Sequence, residues 1–260
     1  MASNRGLPLG LASGVPVGVV TGSAGGEVAT TLAGLAIADG ATHAYDFQTI
    51  NDLIGTDHGV LRFGSALAAS TIPGCSGAVT MANSNSAFRI PVSGDWPSRS
   101  TTSTIEMVWR FQGAHGYQNG RCLCMGPGTH YDSSSLHSQI TTYGNVPPRV
   151  NTVLWSARDP PDLVGSGTVD TIVYLALGYD LGNTRYDAQW KVDGDVTTKT
   201  ATSVAVTAGT APAGYYYLGS QYGDVGQITT QLMVTFHHLA TYTGLMTSGQ
   251  VAQRIALLGI

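Results

Sequence analysis

Charged residues are scarce in this chain. Asp, Glu, Lys and Arg together make up 11% of its 260 residues, and only Lys191 and Lys199 are lysines. Exposed helix faces are normally filled with Lys and Glu, so this scarcity argues against a helix-rich fold. The formal net charge is -4 and no basic stripe occurs, which argues against nucleic acid as a partner. So little charge indicates either a surface covered by neighbours in an assembly or one coated with Thr, Ser and Gly.

Cysteines and long apolar runs are also few. The three cysteines, Cys75, Cys122 and Cys124, are too few for a disulfide framework, and their number is odd. A membrane span needs about 20 apolar residues in an unbroken run, and a secretory signal needs a continuous apolar stretch. The apolar residues 6–20 are interrupted by glycines and two prolines. We therefore expect no export signal and no membrane insertion.

The abundant residues are typical of β structure. The chain has 34 glycines and many Thr and Ser, and hydrophobic residues reach 43%, which is enough for a core. Short apolar or alternating runs between turn residues predict strands at 43–48, 78–82, 87–92, 105–111, 123–125, 150–157, 171–179, 188–192, 204–206, 215–218 and 232–242. The pattern predicts an all-β fold, a two-sheet antiparallel β-sandwich with Trp109, Trp155 and Trp190 between the sheets.

Two local signals complete the predicted body of the protein. An Asp-Gly pair at residues 193–194 follows a strand-like run and predicts a hairpin turn. Near the C-terminal end, Thr247 or Ser248 can cap a short helix, and Gly259 can end it. The apolar face of that helix would consist of Val251, Ile255 and Leu258.

The first 41 residues differ in composition from the rest. They are rich in Gly, Ala and Val, with too little bulk for a core and fewer charges than disordered leaders carry. We predict that residues 1–41 form an extended N-terminal arm that adds backbone hydrogen bonds to a partner, and that residues 42–260 form the sandwich. Such an arm needs a host surface, which favours a homo-oligomer or a larger assembly. The anchoring side chains would be Leu7, Leu9, Leu11, Val15, Val17 and Val19.

Several motifs occur in the order found in a known group of sandwiches. Residues 44–47 (AYDF) precede a Gly/Asp-rich stretch, and residues 103–109 (STIEMVW) form a long strand pattern. Residues 186–194 (YDAQWKVDG) end in an Asp-Gly turn, and residues 236–255 combine a closing strand with a helix. In this order the sequence resembles the laminin-G-like, concanavalin A-like lectin/glucanase group. The resemblance implies a jelly-roll sandwich and a lectin-like module.

Some members of that group are glycoside hydrolases, whose glucanase branch carries Glu-x-Asp-x-x-Glu on one strand. This chain has no such motif, since Glu106 stands alone, and we expect no enzymatic activity and no cofactor. The calcium ligands of many members cannot be transferred either, because residues 231–234 (QLMV) stand where the group often has an acidic pair. The loop carboxylates Asp95 and Asp224 remain as candidate Ca²⁺ ligands.

Three functions fit these observations. The first is a virion structural protein of a tailed bacteriophage, a lectin-like module assembled in the host cytoplasm and anchored by its arm to the capsid, as decoration, or to a tail or fibre. The second is a secreted carbohydrate-binding module, and the third is a glycoside hydrolase. We expect the first, because the low charge, the apolar arm and the lack of an export signal agree with it. A host-surface glycan would contact loop aromatics, for which the candidates are Trp96, Tyr117, Tyr131, Tyr143 and Tyr222.

Overall fold

The structure is a computed structural model that describes residues 29–62, 64–81, 87–91, 94–97, 100–111, 119–126, 138–143, 149–154, 162–163, 171–202, 214–218 and 234–260. The helices in these ranges are α1 (Leu32–Ala38) and α2 (Ser248–Leu258). The strands, in chain order, are β1 (His43–Tyr45), β2 (Val60–Arg62), β3 (Ala66–Ala69), β4 (Gly77–Thr80), β5 (Ala87–Pro91), β6 (Ser103–Phe111), β7 (Asn119–Gly126), β8 (Ser138–Tyr143), β9 (Arg149–Leu154), β10 (Asp162–Leu163), β11 (Ile172–Asp180), β12 (Arg185–Val192), β13 (Lys199–Thr202), β14 (Tyr215–Leu218) and β15 (Val234–Thr243).

The described strands form two antiparallel sheets. The first has eight strands in the order β13-β12-β11-β6-β15-β4-β3, with β1 also paired to β15. The second has seven strands in the order β10-β9-β8-β7-β14-β5-β2. One edge of β15 pairs with β6, and its other edge is divided between β1 and β4. This topology confirms the predicted two-sheet antiparallel sandwich.

A core of apolar side chains fills the space between the sheets. The first sheet contributes Trp109 and Trp190 to it, and the second contributes Phe88 and Tyr216. Burial alternates along β12, as expected when successive side chains point to opposite faces of a sheet. The prediction that Trp109 and Trp190 are core residues is confirmed, whereas Trp155 lies outside the described residues.

The C-terminal helix α2 forms as predicted. Thr247 is its N-cap and accepts a hydrogen bond from the backbone of Gln250, whose side chain in turn accepts one from the Thr247 backbone. This reciprocal pair is a capping box, which satisfies two donors at the helix start. Gly259 ends the helix with a φ of 71°, a left-handed conformation that glycine adopts without strain. The predicted apolar face is buried, together with one arginine: Val251, Arg254, Ile255 and Leu258.

The predicted arm is corrected at its C-terminal end, because residues 32–38 form α1. Thr31 caps this helix by accepting a hydrogen bond from the backbone of Gly34 at 3.1 Å. Leu32 and Ala36 are buried in a second apolar cluster that includes residues of α2 and of the first sheet. Residues 29–41 therefore belong to the packed body. The remaining arm stays a prediction, because its anchoring side chains lie outside the described residues: Leu7, Leu9, Leu11, Val15, Val17 and Val19.

A buried ion network joins α2 to the first sheet. Glu106 on β6 and Arg254 on α2 are both fully buried, and Arg254 Nε lies 2.7 Å from Glu106 Oε1. The Tyr242 hydroxyl donates to the other carboxylate oxygen, and Arg254 also pairs with Asp39 at 2.8 Å. Burial alone would raise the pKa of Glu106, but the hydrogen bond and charge of His238 and the charge of Arg254 outweigh it and lower the pKa. This glutamate is thus part of the helix–sheet packing.

His237 gives the fold a predicted sensitivity to acid. Its ring is buried, its Nδ1 lies 2.8 Å from Ser70 Oγ, and burial and the Arg110 charge lower its pKa to about 4. The unfolded chain binds this proton below a pH of about 6.5, so stability falls as the pH drops from there to about 4, by about 3 kcal/mol in total. Urea unfolding at several pH values across this range measures the expected loss of stability. The curve of His237→Asn should be flatter than that of the wild type, and parallel curves would contradict the assignment.

Several strands escaped the sequence patterns. The strands β2, β3 and β13 have only three or four residues, exposed or half-buried, and β8 (SQITTY) is rich in polar residues, so none carries a long apolar or alternating pattern. The predicted strand at 204–206 lies outside the described residues. The Asp-Gly pair does lie between antiparallel strands, β12 and β13, with Gly194 at a φ of 90°.

Within the described ranges, no helix has the length and apolar character needed to cross a membrane.

Candidate functional site

The candidate site lies beside the start of β1, where two loops meet. His43 is the first residue of β1, and the loop that follows this strand contributes Asp52 and Asp57. The turn at residues 94–97 contributes Asp95 and Trp96. The fold therefore brings one imidazole, three carboxylates and one indole together from two separate parts of the chain.

Asp52 fixes the orientation of His43. Its Oδ2 lies 2.6 Å from His43 Nδ1, and its Oδ1 accepts hydrogen bonds from the backbone of Ala44 and Ile54, each at 3.1 Å. Burial alone would raise the pKa of Asp52, but these hydrogen bonds outweigh it and lower the pKa. Asp52 is therefore an ionised acceptor, and His43 Nδ1 is the donor.

Gly55 allows the loop to approach this pair closely. A Cβ atom at residue 55 would lie 2.6 Å from Asp52 Oδ2 and 3.1 Å from His43 Nδ1. Any side chain would therefore displace the carboxylate from the imidazole. Glycine at residue 55 therefore lets the loop backbone pass close to the hydrogen-bonded pair.

The other ring nitrogen of His43 faces two carboxylates. Nε2 is buried and makes no hydrogen bond, although Asp95 Oδ1 lies 3.3 Å away and Asp57 Oδ2 lies 4.0 Å away. One ligand atom from each of these residues lies within 4.8 Å of the other two. Asp57 Oδ2 also accepts a hydrogen bond from Trp96 Nε1 at 2.7 Å. The side chain of Asp95 is 54% exposed, so the cluster opens to solvent on that side.

The carboxylates around His43 favour positive charge at the ring. Burial alone would lower the pKa of His43, but the hydrogen bond with Asp52 and the negative charges of Asp52 and Asp95 outweigh it and raise the pKa above its usual value. Trp96 stacks on the ring with 4.7 Å between the centroids, which restricts ring rotation. The arrangement can therefore hold a cation in a fixed position, close to solvent.

Trp96 is not a surface platform for a sugar, and that prediction was wrong. Its side chain is 1% exposed, because it packs between His43 and Tyr216 with centroid distances of 4.7 Å to each. Asp95 does belong to the cluster, but its role as a Ca²⁺ ligand stays a prediction. Four other candidates lie outside the described residues: Tyr117, Tyr131, Tyr222 and Asp224. The backbone of Tyr143 is described, but its side chain is not.

The sequence analysis missed His43, Asp52 and Asp57 as site residues. A histidine at a strand start looks like an ordinary strand residue, and the loop acids look solvated. The available signal was the density of acidic residues with a glycine in the stretch 51–59 (NDLIGTDHG), directly after the strand that carries the histidine. Pairing that stretch with residue 95 required the tertiary structure.

A second candidate is a polar pocket on the first sheet. Its volume is about 210 Å³, and β6, β11, β12 and the loop after β15 surround it. Arg185 Nε lies 3.4 Å from Asp187 Oδ1, and Thr202 donates a hydrogen bond to the same carboxylate oxygen at 2.9 Å. Gln189 donates to the backbone of Met246 at 3.2 Å. The pocket thus offers a guanidinium, a carboxylate and an amide to a small polar ligand.

Comparisons with known proteins support the fold and leave the activity open. No protein-family model and no curated protein matches the sequence. A mutant of Trypanosoma rangeli sialidase displaying trans-sialidase activity matches with a TM-score of 0.58 and 12% identity over 85% of this chain and 33% of the sialidase. The binding domain of botulinum neurotoxin serotype D matches with a TM-score of 0.54 and 7% identity over 85% of this chain and 51% of that chain. Peanut lectin matches with a TM-score of 0.48 and 11% identity over 79% of this chain and 97% of the lectin.

These likenesses define a class. The chain is a two-sheet antiparallel β-sandwich, and at identities this low its likeness to these proteins concerns the fold alone. It spans about a third of the sialidase and about half of the neurotoxin domain. The class includes both an enzyme and a binding domain, so function depends on the residues of the sites.

Proposed function

We propose that the chain is a non-enzymatic, lectin-like surface module of a tailed-bacteriophage virion. It is displayed on the capsid or at a tail or fibre and is anchored to other virion proteins by the part of the chain before α1. The support is the sandwich fold combined with the family resemblance and a charged fraction of only 11%, which suits a surface shared with neighbouring subunits. The module is expected to be a homo-oligomer within the particle.

The contacts of the buried acidic residues favour a binding function over catalysis. Hydrolysis of a glycoside needs an acid and a second carboxylate about 5–10 Å apart across an accessible cleft. Glu106 is fully buried beneath α2 and paired with Arg254. Asp52 is buried against His43, and Asp57 accepts from Trp96. Each of these carboxylates is committed to a structural contact, which supports a binding module.

A secreted carbohydrate-binding module is the second candidate, and the pocket beside Arg185 and Asp187 favours it. Lectin-type recognition uses carboxylate and amide groups to hydrogen-bond sugar hydroxyls, and this pocket presents both. A glycan array with the purified protein tests the idea. Binding that Asp187→Ala abolishes and Asp193→Asn leaves unchanged would support it, since Asp193 is an exposed residue of the β12–β13 turn. No binding to any glycan would remove this candidate.

The virion proposal is tested on particles of the phage that encodes the chain. Mass spectrometry of particles purified through a density gradient should detect the protein at a fixed ratio to the major capsid or tail proteins. A deletion of residues 1–28 should leave the sandwich folded and reduce incorporation at least tenfold. Incorporation of the deletion variant at the wild-type level would contradict anchoring by this segment.

A further inference from the structure

We propose that His43, Asp57 and Asp95 form a binding site for one divalent transition-metal cation, with Zn²⁺ as the best fit. Asp52 is the residue that orients His43 for this role. The site does not depend on where the module is displayed, so it and the virion proposal can fail separately.

The distances between the three donor atoms suit a metal of this size. Zinc binds imidazole nitrogen and carboxylate oxygen at about 2.0–2.2 Å, which places two ligands of a tetrahedral ion about 3.4 Å apart. His43 Nε2 lies 3.3 Å from Asp95 Oδ1 and 4.0 Å from Asp57 Oδ2. One ligand atom from each residue falls within 4.8 Å of the others. Small rotations of the two carboxylates would bring all three into coordination distance.

The groups behind the donors are also those of a metal site. A metal-bound histidine usually donates its other N–H to a carboxylate, which sets the tautomer and the direction of the lone pair. His43 makes this contact with Asp52 at 2.6 Å. Trp96 holds both sides of the cluster, because it stacks on the His43 ring and donates to Asp57. The donors are therefore positioned before any cation binds.

Burial of His43 distinguishes this cluster from an ordinary group of surface acids. Its side chain is 3% exposed, and its Nε2 makes no hydrogen bond while facing two carboxylates. With Nδ1 donating to Asp52, a bare lone pair on Nε2 would be repelled by the negative oxygens of Asp57 and Asp95. This position needs a positive charge, which a bound metal ion supplies together with three bonds.

The donor set selects the kind of metal. Calcium and magnesium prefer ligands that are all oxygen, whereas imidazole nitrogen with carboxylate suits Zn²⁺ and other first-row divalent ions. Three protein ligands leave at least one coordination position for water or for an oxygen atom of a ligand. The half-exposed Asp95 places that position on the solvent side.

Isothermal titration of metal-stripped full-length protein with ZnCl₂ tests the site. We expect one Zn²⁺ per chain at this site, no displacement by excess Ca²⁺, and visible d–d absorption when Co²⁺ replaces Zn²⁺. Asp95→Asn, which changes a half-exposed side chain, should weaken Zn²⁺ binding at least tenfold and leave the near-UV circular dichroism unchanged. Asp52→Asn should weaken it roughly 10- to 100-fold, as loss of a carboxylate behind a metal-bound histidine does.

Asp193→Asn is the matched control, since it removes an exposed carboxylate that does not belong to the cluster and should leave the affinity unchanged. Zn²⁺ binding that survives Asp95→Asn would belong to another site, such as the cysteines, and would overturn the proposal. Absence of Zn²⁺ and Co²⁺ binding would also overturn it, and a proton would then supply the charge at Nε2. Ca²⁺ binding that Asp95→Asn abolishes would overturn the choice of metal.

Discussion

Arg254→Met is expected to lower the free energy of unfolding by about 3–5 kcal/mol, because it leaves a buried carboxylate without its cation. Methionine keeps most of the side-chain volume but removes the cation that faces Glu106 at 2.7 Å. The carboxylate would then be buried without its nearest charged partner, and it would take up a proton more readily. The loss of stability should therefore be greater at pH 7 than at pH 5, which urea unfolding at both values measures.

The controls separate the buried pair from a general loss of arginine. Arg185→Met removes a half-exposed arginine that pairs with Asp187 at 3.4 Å, and it should cost about 1 kcal/mol or less. The double variant Glu106→Gln with Arg254→Met should be less destabilised than the sum of the single variants, because it leaves no unpaired buried charge. Additive losses, or equal losses for Arg254→Met and Arg185→Met, would contradict the network.

Gly77→Ala is expected to destabilise the sandwich by about 3 kcal/mol, because the new methyl group has no space. A Cβ atom at residue 77 would lie 2.3 Å from the backbone nitrogen of Gln48 and 2.3 Å from the carbonyl carbon of Phe47. Both are backbone atoms that cannot rotate away. Gly77 also donates its N–H to Asp46 O at 2.9 Å, so β4 could move away from residues 46–48 only by breaking this contact.

The control for Gly77 is Gly249→Ala in α2. A Cβ atom at residue 249 would have only Thr247 Oγ1 nearby, at 3.9 Å, and alanine favours helix over glycine by up to about 1 kcal/mol. Thermal unfolding should therefore show a lower midpoint for Gly77→Ala and an equal or higher midpoint for Gly249→Ala. A Gly77→Ala protein as stable as the wild type would mean that β4 and residues 46–48 are packed differently.

The parts of the fold that could be predicted are those with strong local signals. Strands such as β6, β11 and β15 carry long apolar or alternating runs, and α2 carries a cap, an apolar face and a terminal glycine. The helix α1 escaped because its seven residues (LAGLAIA) resemble the small-residue composition of the preceding stretch. Its stability comes from packing on the first sheet beside α2, which no local pattern shows.

Only one residue of the candidate site could be predicted from the sequence as a cation ligand. Asp95 stood out as a loop carboxylate, but its partners come from a loop about 40 residues earlier. Trp96 was misassigned because a tryptophan between Asp and Pro looks like an exposed loop residue. In the folded chain its indole N–H finds Asp57 at 2.7 Å, which allows burial of a side chain with a polar atom. Contacts of this kind depend on the tertiary arrangement of the loops, and no local sequence pattern indicates them.

The most direct test of the proposed role is a cryo-electron microscopy reconstruction of the virion on which we propose that this chain is displayed. The account predicts density for the two-sheet sandwich on the outer surface of the capsid or tail, repeated with the symmetry of that structure. It also predicts that the chain before α1 contacts a neighbouring virion protein. Particles that lack this density, with the protein found only free in the culture medium, would contradict the account and favour the secreted module.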